Sequence, residues 1–362
     1  MLIAGARDPE IALIDRELGV SGGASSASLI PSGARRSVDT ATLVNGVAAH
    51  VLDYDDVSLD GHPSAVLVPA IFAQGEASGA SGAEMLTAYV AGYEVWAELL
   101  ERQPIPLHRK GWHPSAVLGP VAAASRAAGF TASLDALEHQ AGLLIALSVD
   151  GTAALDRPFI AAQKEWHIVG HGLSIKRYPI CYATHRSIDA ALDLVARHDL
   201  TPAKVERIHV ITGKTQILML RNTRPQTGLE AKFSMQFAMA AALVARNVGL
   251  RELTDDFVLR REVQAIFPRV MLTGTTAVKE GSNFAPADEV EITTTAGETL
   301  KSGPVAFAKG SHERPLTREE LWTKFADCLG AEVADGKKSR AFENLMMFDR
   351  LNGAGDLVLL HQ

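Results

Sequence analysis

The sequence has little cysteine: Cys181 and Cys328 are the only two among 362 residues, and no CxxC pair occurs. Two cysteines so far apart exclude a disulfide framework and a zinc ribbon, and they fit a reducing cytosol. The sequence also lacks a basic excess, since 35 Lys and Arg face 42 Asp and Glu for a net charge of −7. This balance argues against a nucleic-acid-binding protein, which needs a basic face.

Long apolar runs are missing as well. No stretch approaches the ~18 residues that a membrane-spanning helix requires. Near the N-terminus, Arg7, Asp8 and Glu10 stand where a signal peptide would have its apolar centre. We therefore expect a cytoplasmic protein without a membrane partner. Its 47% hydrophobic residues can fill a large core, and its length suggests about two domains of roughly 150 residues each.

Apolar residues recur at helical spacing through the first half, and the pattern predicts helices at 63–78, 83–100, 114–128 and 133–149. β-type alternation appears later, at 205–212 and 290–295, on either side of a helical segment at 231–244. The tail returns to helix after Thr317 and Glu320, which have the spacing of a capping box. The predicted fold is mainly α. An all-helical domain (1–171, completed by C-terminal helices at 311–362) carries an inserted, smaller α+β lid domain (172–310).

One eight-residue motif occurs twice. Residues 62–69 read HPSAVLVP and residues 113–120 read HPSAVLGP, with seven identities at an offset of 51. Proline is favoured at the first helical position, so His62 and His113 are predicted N-caps. A helix N-terminus suits a carboxylate or phosphate, and a histidine there can exchange a proton near neutral pH. Arg109 belongs to a basic patch beside the second copy. The alternative is that both turns are structural caps.

The densest polar segment is HVLDYDDVSLDGHPS, which contains Asp53 and His62. Such a cluster suits acid–base chemistry or a hard metal ion. This cluster has no adjacent His-Asp pair, and neither HExxH nor CxxC occurs in the sequence, so no metal is expected. A metal-dependent hydrolase remains the alternative from another class, and an acidic, solvated loop is the alternative without function.

Lys176, Arg177, Tyr178 and His185 cluster at the start of the predicted second domain. The cations can hold carboxylates and Tyr178 can donate a proton, unless this segment is an edge strand whose basic residues face water. Together these groups suit proton removal next to a carboxylate, which needs a base, cations and an acid. No Gly-rich phosphate loop is present, so we expect chemistry without a cofactor.

The chain resembles the MmgE/PrpD family. The resemblance covers most of residues 41–330 and rests on these stretches: NGVAAHVLDYDDVSLDGHPSAVLVPA, AYVAGYEV, GWHPSAVLGPVAAA, GLSIKRYPICYATHRSIDA, EAKFSMQFAMAAAL and RPLTREELWTKF. The family includes 2-methylcitrate dehydratase, cis-aconitate decarboxylase and iminodisuccinate epimerase. The resemblance implies a homodimeric lyase without a cofactor, acting on a small polycarboxylate. It implies catalytic roles for Asp53, His62, His113 and Lys176, and we expect Arg109, Arg177, Tyr178 and His185 to bind substrate.

The sequence departs from the family pattern in three places. The usual leading helix is short or absent, a Lys-Pro-x-His-x-Gly segment with two helices is missing before residue 172, and Phe237 replaces a common tyrosine. The leading hypothesis is a 2-methylcitrate dehydratase of propionate metabolism. An epimerase or decarboxylase of the same family is the runner-up, and a catalytically impaired member that only binds carboxylates is a third possibility.

Overall fold

Helices occupy most of the first half of the chain, as the spacing of its apolar residues predicts. A computed structural model describes residues 1–19, 24–127, 143–155, 165–279 and 284–353. Its helices, in chain order, are α1 (Leu2–Gly5), α2 (Pro9–Leu18), α3 (Val38–His50), α4 (Pro63–Ser78), α5 (Gly82–Glu101), α6 (Pro114–Val117), α7 (Gly119–Ala127), α8 (Leu143–Leu147), α9 (His167–His171), α10 (His185–Arg197), α11 (Lys214–Met219), α12 (Gly228–Ala231), α13 (Met235–Val244), α14 (Asp255–Val258), α15 (Arg261–Gln264), α16 (Arg318–Leu329) and α17 (Asp335–Met346).

Strands are short in the first half and longer in the second. They are β1 (Ala27–Ser28), β2 (Arg35–Arg36), β3 (Asp56–Val57), β4 (Ser174–Ile175), β5 (Val205–Gly213), β6 (Val270–Thr275), β7 (Glu289–Thr294) and β8 (Thr299–Lys301). Turns of 3-10 helix lie at Leu107–Lys110, Tyr182–Thr184, Pro202–Lys204, Phe267–Arg269 and Phe348–Arg350. Within the described part of the chain, no helix is both long enough and apolar enough to cross a membrane.

The chain forms two compact units. Unit 1 comprises Met1–Ser174 and Cys328–Gln362, and unit 2 comprises Ile175–Asp327. The fold is mainly helical, as predicted. Unit 1 is not purely helical, however, because β1 and β2 form an antiparallel ribbon in which Ala27 pairs with Arg36. The assignment of domain boundaries and of a lid stays a prediction.

Both copies of the repeated motif begin a helix in unit 1. His62 is the N-cap of α4 and His113 is the N-cap of α6, each followed by proline at the first helical position, which confirms the prediction. The copies then differ. Helix α4 continues through Pro69, whereas the second copy is interrupted at Leu118, between α6 and α7, rather than running unbroken from 114. Residues 133–142 of the predicted helix at 133–149 lie outside the described residues.

Trp96 of α5 packs against both motif copies. Its indole has no exposed surface. A Cβ on Gly61, just before the first copy, would lie 3.0 Å from the Trp96 ring, and one on Gly119, inside the second copy, would lie 2.9 Å from it. Because neither position has room for a side chain, the indole holds the two turns close together.

Unit 2 is built around a mixed four-stranded sheet in the order β6-β5-β7-β8. Strand β5 pairs parallel to β6 and antiparallel to β7, and β8 continues antiparallel to β7. Alternate residues of β5, among them Ile208 and Val210, are buried because they point to one face of the sheet. Helix α10 packs its apolar stripe against β7 and α13. The predicted strands at 205–212 and 290–295 are confirmed.

Two further sequence signals of unit 2 have structural outcomes. The Thr317 hydroxyl accepts from the Glu320 N–H at 3.3 Å, and the Glu320 carboxylate accepts from the Thr317 N–H at 3.0 Å, which confirms the capping box. Phe237 has no exposed surface, and its ring packs edge-on against Phe257 at 6.2 Å. Where the family commonly has a tyrosine, this chain therefore fills its core with an apolar ring.

The two glycines Gly119 and Gly46 provide a test of this packing. We expect Gly119→Ala to destabilise the protein by about 1–3 kcal/mol, because the new methyl group must displace the buried Trp96 ring. Gly46→Ala, in the middle of α3, meets nothing nearer than 3.8 Å. It should stabilise the protein by about 0.5–1 kcal/mol through helix propensity. Urea unfolding followed by circular dichroism measures both, and an unchanged midpoint for Gly119→Ala would contradict the role given to Trp96.

Candidate active site

The loop between α3 and α4 carries backbone strain. Asp53, Leu59 and Asp60 have φ values of 49°, 51° and 54°, in the left-handed region. Aspartate tolerates this region better than leucine does. A non-glycine residue there costs on the order of 1–3 kcal/mol. The burial of Leu59 in the core of unit 1, where it is 7% exposed, offsets part of that cost.

Asp56 links the loop to the first turn of α4 through two hydrogen bonds. Its carboxylate accepts from the Ser64 hydroxyl at 2.6 Å and from the Ser64 N–H at 3.2 Å. Burial raises the pKa of the Asp56 carboxyl above its ordinary value, against the effect of these two hydrogen bonds. Asp55 and Asp56 are 6% and 5% exposed, so the alternative of a solvated acidic loop is wrong for both residues.

Two tyrosines of α5 extend this network. The Tyr89 hydroxyl lies 2.8 Å from the Ser64 hydroxyl. Burial, and then the Asp56 carboxylate, raise the pKa of Tyr89 well above its ordinary value. The Tyr93 hydroxyl donates to the carbonyl of Gly172 at 2.8 Å, and burial raises its pKa to about 12. Both phenols therefore stay protonated at neutral pH.

Four imidazole rings form a chain of contacts beside this network. His50 lies 4.4 Å from His62, His62 lies 5.8 Å from His113, and His113 lies 5.3 Å from His108, measured between ring centroids. They come from the end of α3, the two N-caps and the 3-10 turn at Leu107–Lys110. The repeated motif thus brings its two histidines together within unit 1.

The hydrogen bonds of His62 determine which ring nitrogen is the base. Its Nδ1 lies 2.9 Å from the backbone carbonyl oxygen of Asp56 and 3.2 Å from Oδ2 of Asp55. Both oxygens can only accept, so Nδ1 carries the hydrogen. In the neutral ring the lone pair is then on Nε2, which can accept a proton from a substrate. Asp55 also lies 2.9 Å from Nδ1 of His50 and so links the two rings.

His113 has the opposite tautomer. Its Nδ1 accepts the N–H of Ser115 at 3.2 Å, so the neutral ring carries its hydrogen on Nε2. Loss of solvent and then the neighbouring imidazoles, His62 foremost, lower the pKa of His113 to about 4. At neutral pH the ring is uncharged, and its Nε2–H can donate a hydrogen bond to a substrate oxygen.

The difference between the two copies has a local cause. In the first copy the Asp56 carboxylate takes the Ser64 N–H, and the His62 side chain makes no capping bond. In the second copy the His113 ring itself caps the Ser115 N–H. The Ser115 hydroxyl meanwhile accepts the N–H of His62 at 2.9 Å, which links the two turns directly.

Asp53 belongs to the same group of side chains. Together with His50, Asp55 and His62 it offers ligand atoms within 4.8 Å of one another. These residues have donors suited to a metal ion, although a metal bound at Nδ1 of His50 or His62 would displace the hydrogen that this nitrogen shares with Asp55. The metal-dependent alternative stays a hypothesis.

The remaining predicted residues are described one by one. Arg109 is exposed on the 3-10 turn that precedes α6. Lys176, Tyr178 and His185, which belong to unit 2, are buried, so the alternative of basic residues facing water is wrong for Lys176. Arg177, whose side chain is 36% exposed, lies 3.8 Å from the Asp189 carboxylate.

Tyr178 and His185 use their polar atoms inside unit 2. The Tyr178 hydroxyl donates to Asp189 at 2.7 Å, and burial together with that carboxylate raises the pKa of Tyr178 well above its ordinary value. His185 lies 3.2 Å from the carbonyl of Ile180, and burial and the charge of Lys176 lower the pKa of His185 far below its ordinary value. The roles of these residues, and of Lys176 and Arg177, stay predictions.

Sequence reasoning missed the contributions of Tyr89, Tyr93 and the Ser115 hydroxyl. The segment AYVAGYEV places the two tyrosines four residues apart, hence on one face of α5, and that spacing was the available signal.

We expect His113 to titrate far below the ordinary histidine value of 6.5. An unfolded chain binds this proton near pH 6.5 and the folded chain only near pH 4, so protonation favours unfolding. The free energy of unfolding therefore falls as the pH decreases from 6.5 to about 4. Nitrogen-15 NMR of the ring, assigned with His113→Gln, measures the midpoint. Replacing His62 by Asn should raise it, and a wild-type midpoint at or above 6.5 contradicts the assignment.

Comparison with known proteins matches both halves of the chain to one family. The model of the MmgE/PrpD N-terminal domain matches residues 1–176, and that of the MmgE/PrpD C-terminal domain matches residues 178–346. Cis-aconitate decarboxylase of Mus musculus is 25% identical over 356 aligned residues, covering 79% of this chain and 70% of the relative. The enzyme of the same name from Homo sapiens is 24% identical, covering 79% and 71%. With each half matched by its own domain, the chain belongs to the MmgE/PrpD family.

Proposed function

We propose that this chain is a lyase that acts on a small polycarboxylate, with decarboxylation of a cis-aconitate-like substrate as its reaction. The observation that carries the proposal is the pairing of His62 and His113, whose rings lie 5.8 Å apart; Nδ1 of His62 donates a hydrogen bond, whereas Nδ1 of His113 accepts one. The names of the two relatives favour decarboxylation over the other reactions of this kind.

Decarboxylation of cis-aconitate needs one proton and a place for negative charge. The bond from the methylene carbon to its carboxylate breaks and releases CO₂, and its electrons form a new double bond to the central carbon. The electrons of the original double bond take up a proton at the neighbouring carbon. The products are CO₂ and methylenesuccinate. A donor must therefore reach that carbon, while other donors hold the carboxylates that remain.

The two histidines suit these separate tasks. His62 in its protonated form delivers the proton from Nε2, since Asp55 and the Asp56 carbonyl hold Nδ1–H on the other side of the ring. Neutral His113 donates Nε2–H to a carboxylate oxygen and stabilises charge that develops there. The positive end of α4, which begins directly after His62, favours an anionic substrate.

Dehydration of a 2-methylcitrate-like hydroxy acid is the second candidate. It is favoured by the hydrogen bond at Nδ1 of His62, which leaves Nε2 to remove a proton next to a carboxylate when the ring is neutral. An acid must then protonate the departing hydroxyl. The proposal also keeps Lys176 and Arg177 as cations that bind carboxylates. It further includes a homodimeric assembly and a cytoplasmic location.

The test compares His62→Asn and His113→Asn with the exposed control His198→Asn. Proton NMR in heavy water follows cis-aconitate and 2-methylcitrate separately, so that methylenesuccinate reports decarboxylation and a new alkene with loss of water reports dehydration. Each site variant should lose roughly 10²–10⁴ in kcat because an acid–base or charge-stabilising group is removed. The control should keep wild-type turnover.

Two results would contradict the proposal. Wild-type turnover in both site variants would show that His62 and His113 are not catalytic residues. Binding of either acid by the folded wild-type protein, without product or deuterium incorporation, would favour the impaired member that only binds carboxylates.

A further inference from the structure

A second group of polar side chains lies in unit 1 between α5 and α9. His167 and His171 stand four residues apart on α9, and Glu101 ends α5. Oε1 of Glu101 lies 3.2 Å from Nδ1 of His167 and 2.8 Å from Nε2 of His171. Three possible ligand atoms from two helices therefore lie close together. None of these residues belongs to the histidine chain of the candidate active site.

We infer that Glu101, His167 and His171 form a binding site for a divalent transition metal such as Zn²⁺. Two imidazoles and one carboxylate are ligands that Zn²⁺ accepts, at about 2.0–2.2 Å. The ligand atoms all lie within 4.8 Å of one another, so small side-chain rotations place a metal between them. Three protein ligands leave a fourth position for water or another small ligand.

The second ring nitrogen of His167 supports this assignment. Its Nε2 is buried and makes no hydrogen bond to the residues that the structure describes, and Oε2 of Glu98 lies 3.6 Å away. Metal binding at Nδ1 fixes the hydrogen on Nε2, where it faces Glu98. A metal-bound histidine with a carboxylate behind it is the usual arrangement in metal sites. Glu98 is itself held by Arg102, whose Nε donates to it at 2.8 Å.

Three carboxylates of α5 face α9. Glu94, Glu98 and Glu101 lie on one face of α5, and Arg102 pairs with Glu98. Glu94 accepts the N–H groups of His167 and Ile168 at 2.9 Å each, which fixes the start of α9 against α5.

The test uses the full chain, stripped with a chelator and titrated with Co²⁺ as a coloured substitute for Zn²⁺. We expect one equivalent with the absorption of four-coordinate Co²⁺, displaced by Zn²⁺. His171→Ala should weaken binding by more than tenfold, and its side chain is 43% exposed, so its loss leaves the core intact. Glu98→Gln should weaken binding by roughly 10- to 100-fold.

Two controls separate this site from other histidines. His312→Ala removes an exposed histidine elsewhere and should leave binding unchanged, while His50→Ala removes a member of the other group of possible ligands. The inference is overturned if the protein takes up no Co²⁺ at one equivalent, if His171→Ala binds like the wild type, or if His50→Ala alone abolishes binding. Circular dichroism of each variant establishes that it is folded.

Discussion

The close approach of the two His-Pro-Ser turns is the constraint on which the candidate active site depends. The His62 N–H donates to the Ser115 hydroxyl, and a Cβ on Gly61 would lie 2.7 Å from that same oxygen. Trp96 packs against both turns from inside the core. The separation of the His62 and His113 rings is thereby set by packing and one hydrogen bond rather than by flexible side chains, and the two imidazoles can act on one substrate.

The two copies of the motif differ in the hydrogen bond that their histidine makes at Nδ1. The difference arises outside the motif, because Asp56 supplies the cap in the first copy, whereas the His113 ring itself caps the second. His62 is thus free to turn its Nδ1–H towards the loop, while His113 uses Nδ1 on its own helix. A repeated sequence can therefore place two histidines side by side with different hydrogen bonds at Nδ1.

Local signals made much of the fold predictable. The helices around residues 63–100, the strands at β5 and β7, the N-cap positions of His62 and His113 and the Thr317 capping box all follow from patterns a few residues long. The break at Leu118 and the β1–β2 ribbon were missed, because a change from Val68 to Gly119 and a two-residue pairing leave almost no periodic signal. The tautomers of the two rings depend on atoms distant in sequence, and no spacing rule reveals them.

The left-handed backbone of Asp53, Leu59 and Asp60 has a consequence for how this site can be moved or copied. An isolated peptide with this sequence gains nothing from burying Leu59, so it would relax to ordinary extended or helical angles and its carboxylates would scatter. The arrangement belongs to the folded unit rather than to the string of residues. Grafting the motif onto another scaffold would transfer the side chains without their geometry unless the leucine pocket and the indole beneath it came too.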